Sequence, residues 1–308
     1  MQDKLIKRAK ELLAEGKVQK VVGWKKGLFE DDITPAVFNK FCKANLSKYL
    51  VKITREIEVA KSTTRMNNTM AKQRDPNAQD KPIPQATVLV FLKPSDTYSF
   101  TQLLKENRIT RGDVYAIGVP CQDTLDGGEV CDNCKNKKPV SCDELIGIEA
   151  DVEAVESTRM AEVEKLEHMT ADQRDAFWKN EFSRCLRCNA CRDICPACTC
   201  EKCVFDNNKL YTSQKVAETN FEESLFHIIR AWHVAGRCTD CGECSRVCPQ
   251  HIPLYLLNRK FIKDINEIYG EYQAGSDMET KPAMLTFNAE GDPETTIVYD
   301  RSHDKEAE

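Results

Sequence analysis

Apolar residues recur at helical spacing near the start of the chain. Residues 3–15 place Leu5, Ile6, Ala9, Leu12 and Leu13 on one stripe, which predicts a helix. Three apolar, β-branched runs, at residues 18–24, 86–92 and 114–119, then predict strands. A helix over 95–107 separates the last two, and this order favours parallel strands in a small α/β unit. Residues 61–85 are polar and contain three prolines, so we predict a loop there.

The hydrophobic pattern of the second half is helical. A capping-box sequence begins at Thr170, and a second amphipathic stretch covers residues 222–234. Each of these predicted helices leads directly into a group of cysteines. A third helix is expected after Pro253, with its end near Gly270. Residues 271–308 are polar and acidic without sustained periodicity, which indicates an extended tail.

Composition excludes several classes of protein. The chain has 308 residues with 44 Lys and Arg against 49 Asp and Glu, a formal charge of −5. Because phosphate binding needs clustered basic residues, we expect no nucleic-acid partner. Apolar runs are too short for a membrane span, and the first residues lack the apolar segment of a signal peptide. We therefore expect a cytoplasmic protein.

The cysteines are concentrated in one part of the chain. Of the 16 cysteines, 15 lie between Cys121 and Cys248, and 11 of these lie from Cys185 onward. In a reducing compartment, cysteines at this density usually bind metal instead of forming disulfides.

Two segments share the spacing C-x-x-C-x-x-C-x-x-x-C-P, the first beginning at Cys185 and the second at Cys238. In this pattern three thiolates hold one 4Fe-4S cluster, and the fourth, before proline, binds the other cluster. The alternatives are paired zinc knuckles, which usually have two widely separated C-x-x-C pairs, or unligated thiols. The predicted ligands are Cys185, Cys188, Cys191 and Cys248 for cluster 1, and Cys238, Cys241, Cys244 and Cys195 for cluster 2.

Further cysteines lie between the two motifs, at Cys198, Cys200 and Cys203. A two-cluster ferredoxin does not need them. They could ligate another cluster, cap a neighbouring cysteine site or pack as small apolar residues. Their density favours ligation by at least one of them.

A third metal site is predicted in the first half. Its candidate ligands fall within 22 residues and are Cys121, Cys131, Cys134 and Cys142. This grouping favours a third 4Fe-4S cluster over a structural zinc or free thiols. The fourth ligand stays open between Cys142, Cys42 and one of the three cysteines between the motifs.

Several segments resemble the iron-sulfur beta subunits of deazaflavin-dependent hydrogenases and formate dehydrogenases. In the first half these are residues 42–50, residues 106–111, the strand that leads to Cys121, and the Cys131 to Cys134 pair. In the second half, the segments Phe177-Trp-x-x-x-Phe-Ser-Arg-Cys and Ala235-Gly-Arg-Cys also resemble subunits of heterodisulfide-reductase-type electron-bifurcating complexes.

The resemblance implies an electron-relay subunit of a larger anaerobic oxidoreductase. The implied partners are flavoprotein, hydrogenase, formate dehydrogenase or heterodisulfide-reductase-like subunits. Some members of the family also bind a flavin, FAD or FMN, that exchanges hydride with a deazaflavin or nicotinamide. Residues 92–97 here read Leu-Lys-Pro-Ser-Asp-Thr where relatives usually have Lys-Gly-Cys-Asp-Ser-Arg, which argues against a flavin in this subunit.

The sequence therefore predicts an α+β chain in three parts. Residues 1–150 form a small N-terminal α/β domain with a cysteine metal site, residues 151–270 a mostly helical dicluster ferredoxin-like domain, and residues 271–308 a partner-binding tail. We expect an iron-sulfur electron-transfer subunit without catalytic residues of its own. The alternatives are a flavin-containing subunit that itself oxidises or reduces a deazaflavin or nicotinamide coenzyme, and a zinc-stabilised interaction module.

Overall fold

A parallel four-stranded sheet organises the first half of the chain. The computed structural model describes residues 2–23, 45–120, 138–147, 158–206 and 219–282. The elements of this half are α1 Gln2–Ala14, β1 Lys20–Val22, α2 Ser47–Arg74, β2 Val88–Leu92, α3 Pro94–Lys105, β3 Val114–Gly118 and β4 Glu144–Leu145. The strand order is β1-β2-β3-β4, and every neighbouring pair is parallel. The predicted parallel α/β arrangement is confirmed.

The core of this half lies on both faces of β2. All five residues of β2 are buried, as expected for a parallel strand covered on both sides. Leu5 and Leu12 of α1, Leu50 of α2 and Phe100 of α3 are fully buried in the same cluster. The apolar stripe of the first predicted helix therefore packs as its spacing indicates.

The loop predicted over residues 61–85 is wrong for its first part, because α2 continues to Arg74. This stretch has many good helix formers, and proline first occurs after the helix ends, at Pro76. The hydroxyls of Thr63, Thr64 and Thr69 donate to the carbonyl oxygens four residues earlier. A polar helix without an apolar stripe gives little periodicity, so its pattern was indistinguishable from that of a loop.

The second half is built from helices. They are α4 Ala161–Glu167, α5 Ala171–Ser183, α6 Ala190–Asp193, α7 Asn220–His233, α8 Glu243–Arg246 and α9 Leu254–Tyr269. The predicted capping box at the start of α5 is present, since Thr170 and Gln173 bond reciprocally. The α+β class is confirmed. The predicted domain boundary after residue 150 lies outside the described residues.

Helix α3 lies between the sheet and the second half. Ser95, Thr97, Thr101 and other polar side chains of α3 are buried. Ser99 connects the two halves, because its hydroxyl accepts from Asn45 Nδ2 at 3.0 Å and lies 2.8 Å from the hydroxyl of Thr239. Thr97 and Thr101 are satisfied within the helix, because their hydroxyls donate to the carbonyl oxygens of Pro94 and Thr97.

The first residues of the predicted tail also cover α3. Tyr272 and Ala274 are buried, and Gly275 has a φ of +74°. A Cβ atom at Gly275 would lie 1.9 Å from the carbonyl oxygen of Tyr98, so only glycine fits this crossing. Residues 271–282 therefore pack on this chain itself, and partner binding by the tail stays a prediction. Residues 283–308 lie outside the described residues.

In the described part of the chain, no helix combines the length and the apolar character that crossing a membrane requires.

A buried charged group joins the start of α3 to the second half. Lys93 Nζ lies 3.5 Å from Asp96 Oδ2 and 3.5 Å from Glu243 Oε1, and Lys93 and Asp96 are fully buried. Burial raises the pKa of Asp96 to about 6, above its ordinary 3.8, although Lys93 partly offsets this effect.

The stability of the protein should therefore depend on the ionisation of Asp96. From about pH 4 to about pH 6 the unfolded chain has lost this proton while the folded chain retains it, so stability falls as pH rises. Between pH 5 and pH 7 the loss should be about 1 kcal/mol, and Asp96→Asn should abolish it. Anaerobic urea titrations at the two pH values measure this; an equal pH dependence in the variant and the wild type would contradict it.

Candidate metal centre

The two cysteine motifs have the same backbone turns. Arg187 and Asn189 have φ values of 51° and 62°, and the equivalent Asp240 and Gly242 have values of 58° and 71°. In each motif these left-handed residues flank the second cysteine, and a one-turn helix, α6 or α8, follows. Such turns are rare for non-glycine residues and persist where the surrounding structure fixes them. The sequence repeat is therefore also a structural repeat.

The first cysteine set surrounds one cavity. Cys185, Cys188 and Cys191 line it together with Cys248, which belongs to the other motif. The remaining wall is largely apolar or aromatic and includes Phe226, His227, Ile252 and Leu254. The structure thus places together the four residues predicted as ligands of cluster 1.

The second cysteine set lies at another cavity. Cys195, from the first motif, lines it together with Cys238 and Cys241. The buried thiol of Cys244 is close enough to Cys195 and Cys238 for their charges to interact. Three residues of α3, Ser99, Gln102 and Leu103, form part of the wall. The cysteine spacing gives no indication that the α/β half contributes to this site.

The surroundings of the thiols fit iron-sulfur clusters. Burial raises the pKa of Cys185 to about 12 and that of Cys191 to about 11, so a thiolate at these positions needs a cation. Donors to sulfur are also present. The Arg187 amide donates to Cys185 Sγ at 3.3 Å, and Asn258 Nδ2 donates to Cys244 Sγ at 3.4 Å. Hydrogen bonds to sulfur and burial are the features by which proteins adjust cluster potentials.

A buried ion pair anchors each cysteine motif to a long helix. Arg187 donates from Nε and Nη2 to the carboxylate of Glu223 on α7, and Arg259 of α9 donates from Nε to both oxygens of Asp240. Burial alone would raise the pKa of Glu223, but hydrogen bonds from His227, Arg187 and Cys185 hold it at about 2. These partners are 36 and 19 residues apart, and no sequence motif connects them.

The three cysteines between the motifs lie in different surroundings, and ligation by one of them stays a prediction. Cys198 is half-buried and hydrogen-bonds with Cys195, which lowers the pKa of the Cys195 thiol and raises that of Cys198. Cys200 is exposed and Cys203 is half-buried. In the described parts of the chain, the one set of three potential ligand atoms within 4.8 Å of one another belongs to Cys185, Glu223 and His227. It shares Cys185 with the first cysteine set.

Of the four cysteines predicted for the third site, Cys142 lies within the described residues. Cys142 is half-buried, and its Sγ would lie 3.3 Å from a Cβ atom built on Gly118, the last residue of β3. It therefore sits at the carboxyl end of the parallel sheet, where ligand sites of α/β folds usually lie. Cys121, Cys131, Cys134 and the alternative ligand Cys42 lie outside the described residues.

Comparison with known proteins identifies the class of the second half. Residues 181–252 match the family model of the 4Fe-4S dicluster domain. This range contains both cysteine motifs, the last residues of α5, and helices α6, α7 and α8. The chain therefore carries a ferredoxin-like dicluster domain of the kind that binds 4Fe-4S clusters in electron transport.

Two curated relatives come from methanogens. The chain is 34% identical over 106 residues to the F420-dependent formate dehydrogenase subunit beta of Methanocaldococcus jannaschii, covering 34% of this chain and 27% of the relative. It is 31% identical over 107 residues to the F420-dependent formate dehydrogenase 1 subunit beta of Methanococcus maripaludis, covering 35% and 26%. The chain thus spans about a quarter of the length of these relatives. The resemblance to iron-sulfur beta subunits of such oxidoreductases is confirmed.

Removing one partner of a buried ion pair should destabilise the dicluster half. Arg259→Met leaves the Asp240 carboxylate buried without its main partner and should cost about 3–5 kcal/mol in the free energy of unfolding. Lys260→Met is the matched control on the same helix: this side chain is 44% exposed, and its loss should cost less than about 1 kcal/mol. Anaerobic urea titrations followed by circular dichroism measure both. Equal costs for the two variants would show that the Asp240 pair does not hold the motif.

Proposed function

We propose that the chain is an electron-relay subunit of an anaerobic, formate dehydrogenase-type oxidoreductase complex. The observation that carries this proposal is the exchange of cysteines between the two sets. Each set contains three cysteines of one motif and the fourth cysteine of the other. This is the arrangement expected for two neighbouring 4Fe-4S clusters.

The ligands would be Cys185, Cys188, Cys191 and Cys248 for one cluster, and Cys195, Cys238, Cys241 and Cys244 for the other. When bound, such clusters accept and release single electrons. The chain would hold the thiolates in place and donate to sulfur from Arg187 and Asn258. Buried apolar residues such as Ile252 would exclude water. Such a relay needs no acid, base or nucleophile from the protein.

The partners are proposed from the relatives and from the first half. Both relatives are named as subunits of formate dehydrogenases, which favours assembly with catalytic subunits of that type. A flavoprotein, hydrogenase or heterodisulfide-reductase-like subunit would serve the same chemistry, including electron bifurcation. Cys121, Cys131, Cys134 and Cys142 would form a third site at the end of β3, with a 4Fe-4S cluster favoured over zinc.

Quantifying bound cofactors tests the proposal. The full chain is purified anaerobically with its native partners, and iron, sulfide, zinc and flavin are measured per chain. About twelve iron and no flavin are expected for a three-cluster relay, and about eight iron with one zinc would make the third site structural. Zinc without iron would overturn the proposal in favour of an interaction module. Stoichiometric flavin, with reduction of a deazaflavin or nicotinamide by this chain alone, would overturn it in favour of an enzyme.

The exchange of cysteines predicts which cluster each ligand supports. Cys248→Ser should perturb the cluster of Cys185, Cys188 and Cys191, although Cys248 follows the second motif in sequence. Cys195→Ser should perturb the other cluster in the same way. Electron paramagnetic resonance of the reduced protein distinguishes the two, with the exposed Cys200→Ser as a control that should leave both spectra unchanged. If Cys248→Ser altered only the cluster of its own motif, the proposed ligand sets would be wrong.

A further inference from the structure

An unpaired arginine lies in the interior of the dicluster half. Arg230, on α7, is 3% exposed, and its three guanidinium nitrogens have no hydrogen-bond partner among the residues that the structure describes. A guanidinium is always charged, and burying an unpaired charge costs several kcal/mol. The other buried arginines near the motifs have carboxylate partners: Arg187 pairs with Glu223, and Arg159 and Arg259 both pair with Asp240. Arg230 therefore needs another source of negative charge.

The groups around Arg230 are thiols from both cysteine sets. The guanidinium is close enough to Cys244, Cys191, Cys195 and Cys198 for its charge to interact with each of them. Cys191 belongs to the first set, whereas Cys195 and Cys244 belong to the second. The charges of Cys191 and Cys244 also interact with one another, so the two sets adjoin here. Arg230 thus lies where the sets meet.

A fixed positive charge between the two cysteine sets would favour the reduced state of a cluster in either set. A cluster with four thiolate ligands is negatively charged and becomes more so on reduction, so a nearby cation stabilises the reduced state. The effect is large because the site is buried and poorly screened by solvent. It also weakens the repulsion between electrons on the two clusters.

We propose that Arg230 is the shared countercharge of the two 4Fe-4S clusters, which raises the reduction potential of both and allows both to be reduced together. This inference rests on the proposed function, because it requires both clusters. Arg230 acts here as a tuning residue and is not a ligand. Its charge, which no carboxylate in the described residues neutralises, is explained by the clusters that it adjoins.

The test is a redox titration of the full chain, followed by electron paramagnetic resonance. In Arg230→Met both midpoint potentials should fall, each by at least a tenfold change in the reduction equilibrium, which is about 59 mV for one electron. Arg230→Lys keeps the charge and should restore most of this loss. Arg184→Met is the matched control, because Arg184 lies next to Cys185 but is exposed and paired with Glu181. This variant should change the reduction equilibrium of neither cluster by as much as threefold.

The outcomes separate this inference from the proposed function. Arg230→Met with full iron content and unchanged potentials would overturn the role of Arg230 and leave the relay intact. Wild-type protein without iron-sulfur clusters would overturn both. If Arg230→Met did not assemble clusters, pulsed resonance of wild-type protein labelled with ¹⁵N-arginine would decide. Nitrogen couplings to the reduced clusters that disappear in Arg230→Lys support the proposal, and couplings that are identical in the two proteins contradict it.

Discussion

The dicluster half depends on balancing negative charge in an apolar interior. Eight cysteines lie in or beside two adjoining cavities, and burial raises the pKa of Cys185 and Cys191 among them. The protein surrounds them with donors to sulfur, with Arg230, and with ion pairs such as Arg187 with Glu223 that fix the motifs without adding net charge. Each of these devices would be costly alone. Together with the metal they make a buried, charged centre compatible with a stable fold.

The first half contributes directly to this centre. Helix α3 forms part of the wall of the second cavity, and Ser99 bonds to Thr239 next to Cys238. Glu106 at the end of α3 accepts from Arg237 Nε at 2.7 Å. Two buried polar side chains of α3, Ser99 and Gln102, therefore face the second half. The α/β unit is thus a structural part of the metal centre as well as a neighbouring domain.

Local sequence patterns predicted several helices and strands and the cysteines that line the cavities. They did not predict the contacts between distant segments. The capping box at Thr170 and the apolar run of β2 each depend on adjacent residues, and both are present. The cysteine spacing likewise identified the residues that line the cavities. Helix α2 was not predicted, and its residues from 61 onward were expected to form a loop, because its polar surface there has no periodicity. Glu223, Arg230 and the wall formed by α3 could not be inferred, because their roles depend on how distant segments pack. From the sequence alone, an arginine on a helix is expected to lie at the surface.

The crossing of residues 271–282 over α3 constrains the order of events during synthesis. Helix α3 is made early, yet it is enclosed by Thr239 and by Gly275, which leave the ribosome more than a hundred residues later. Domains generally fold as units from the N-terminus. Here one side of α3 stays uncovered until the segments that contain Thr239 and Gly275 have left the ribosome. The covering of α3 by residues 271–282 is therefore completed only after both cysteine motifs have left the ribosome.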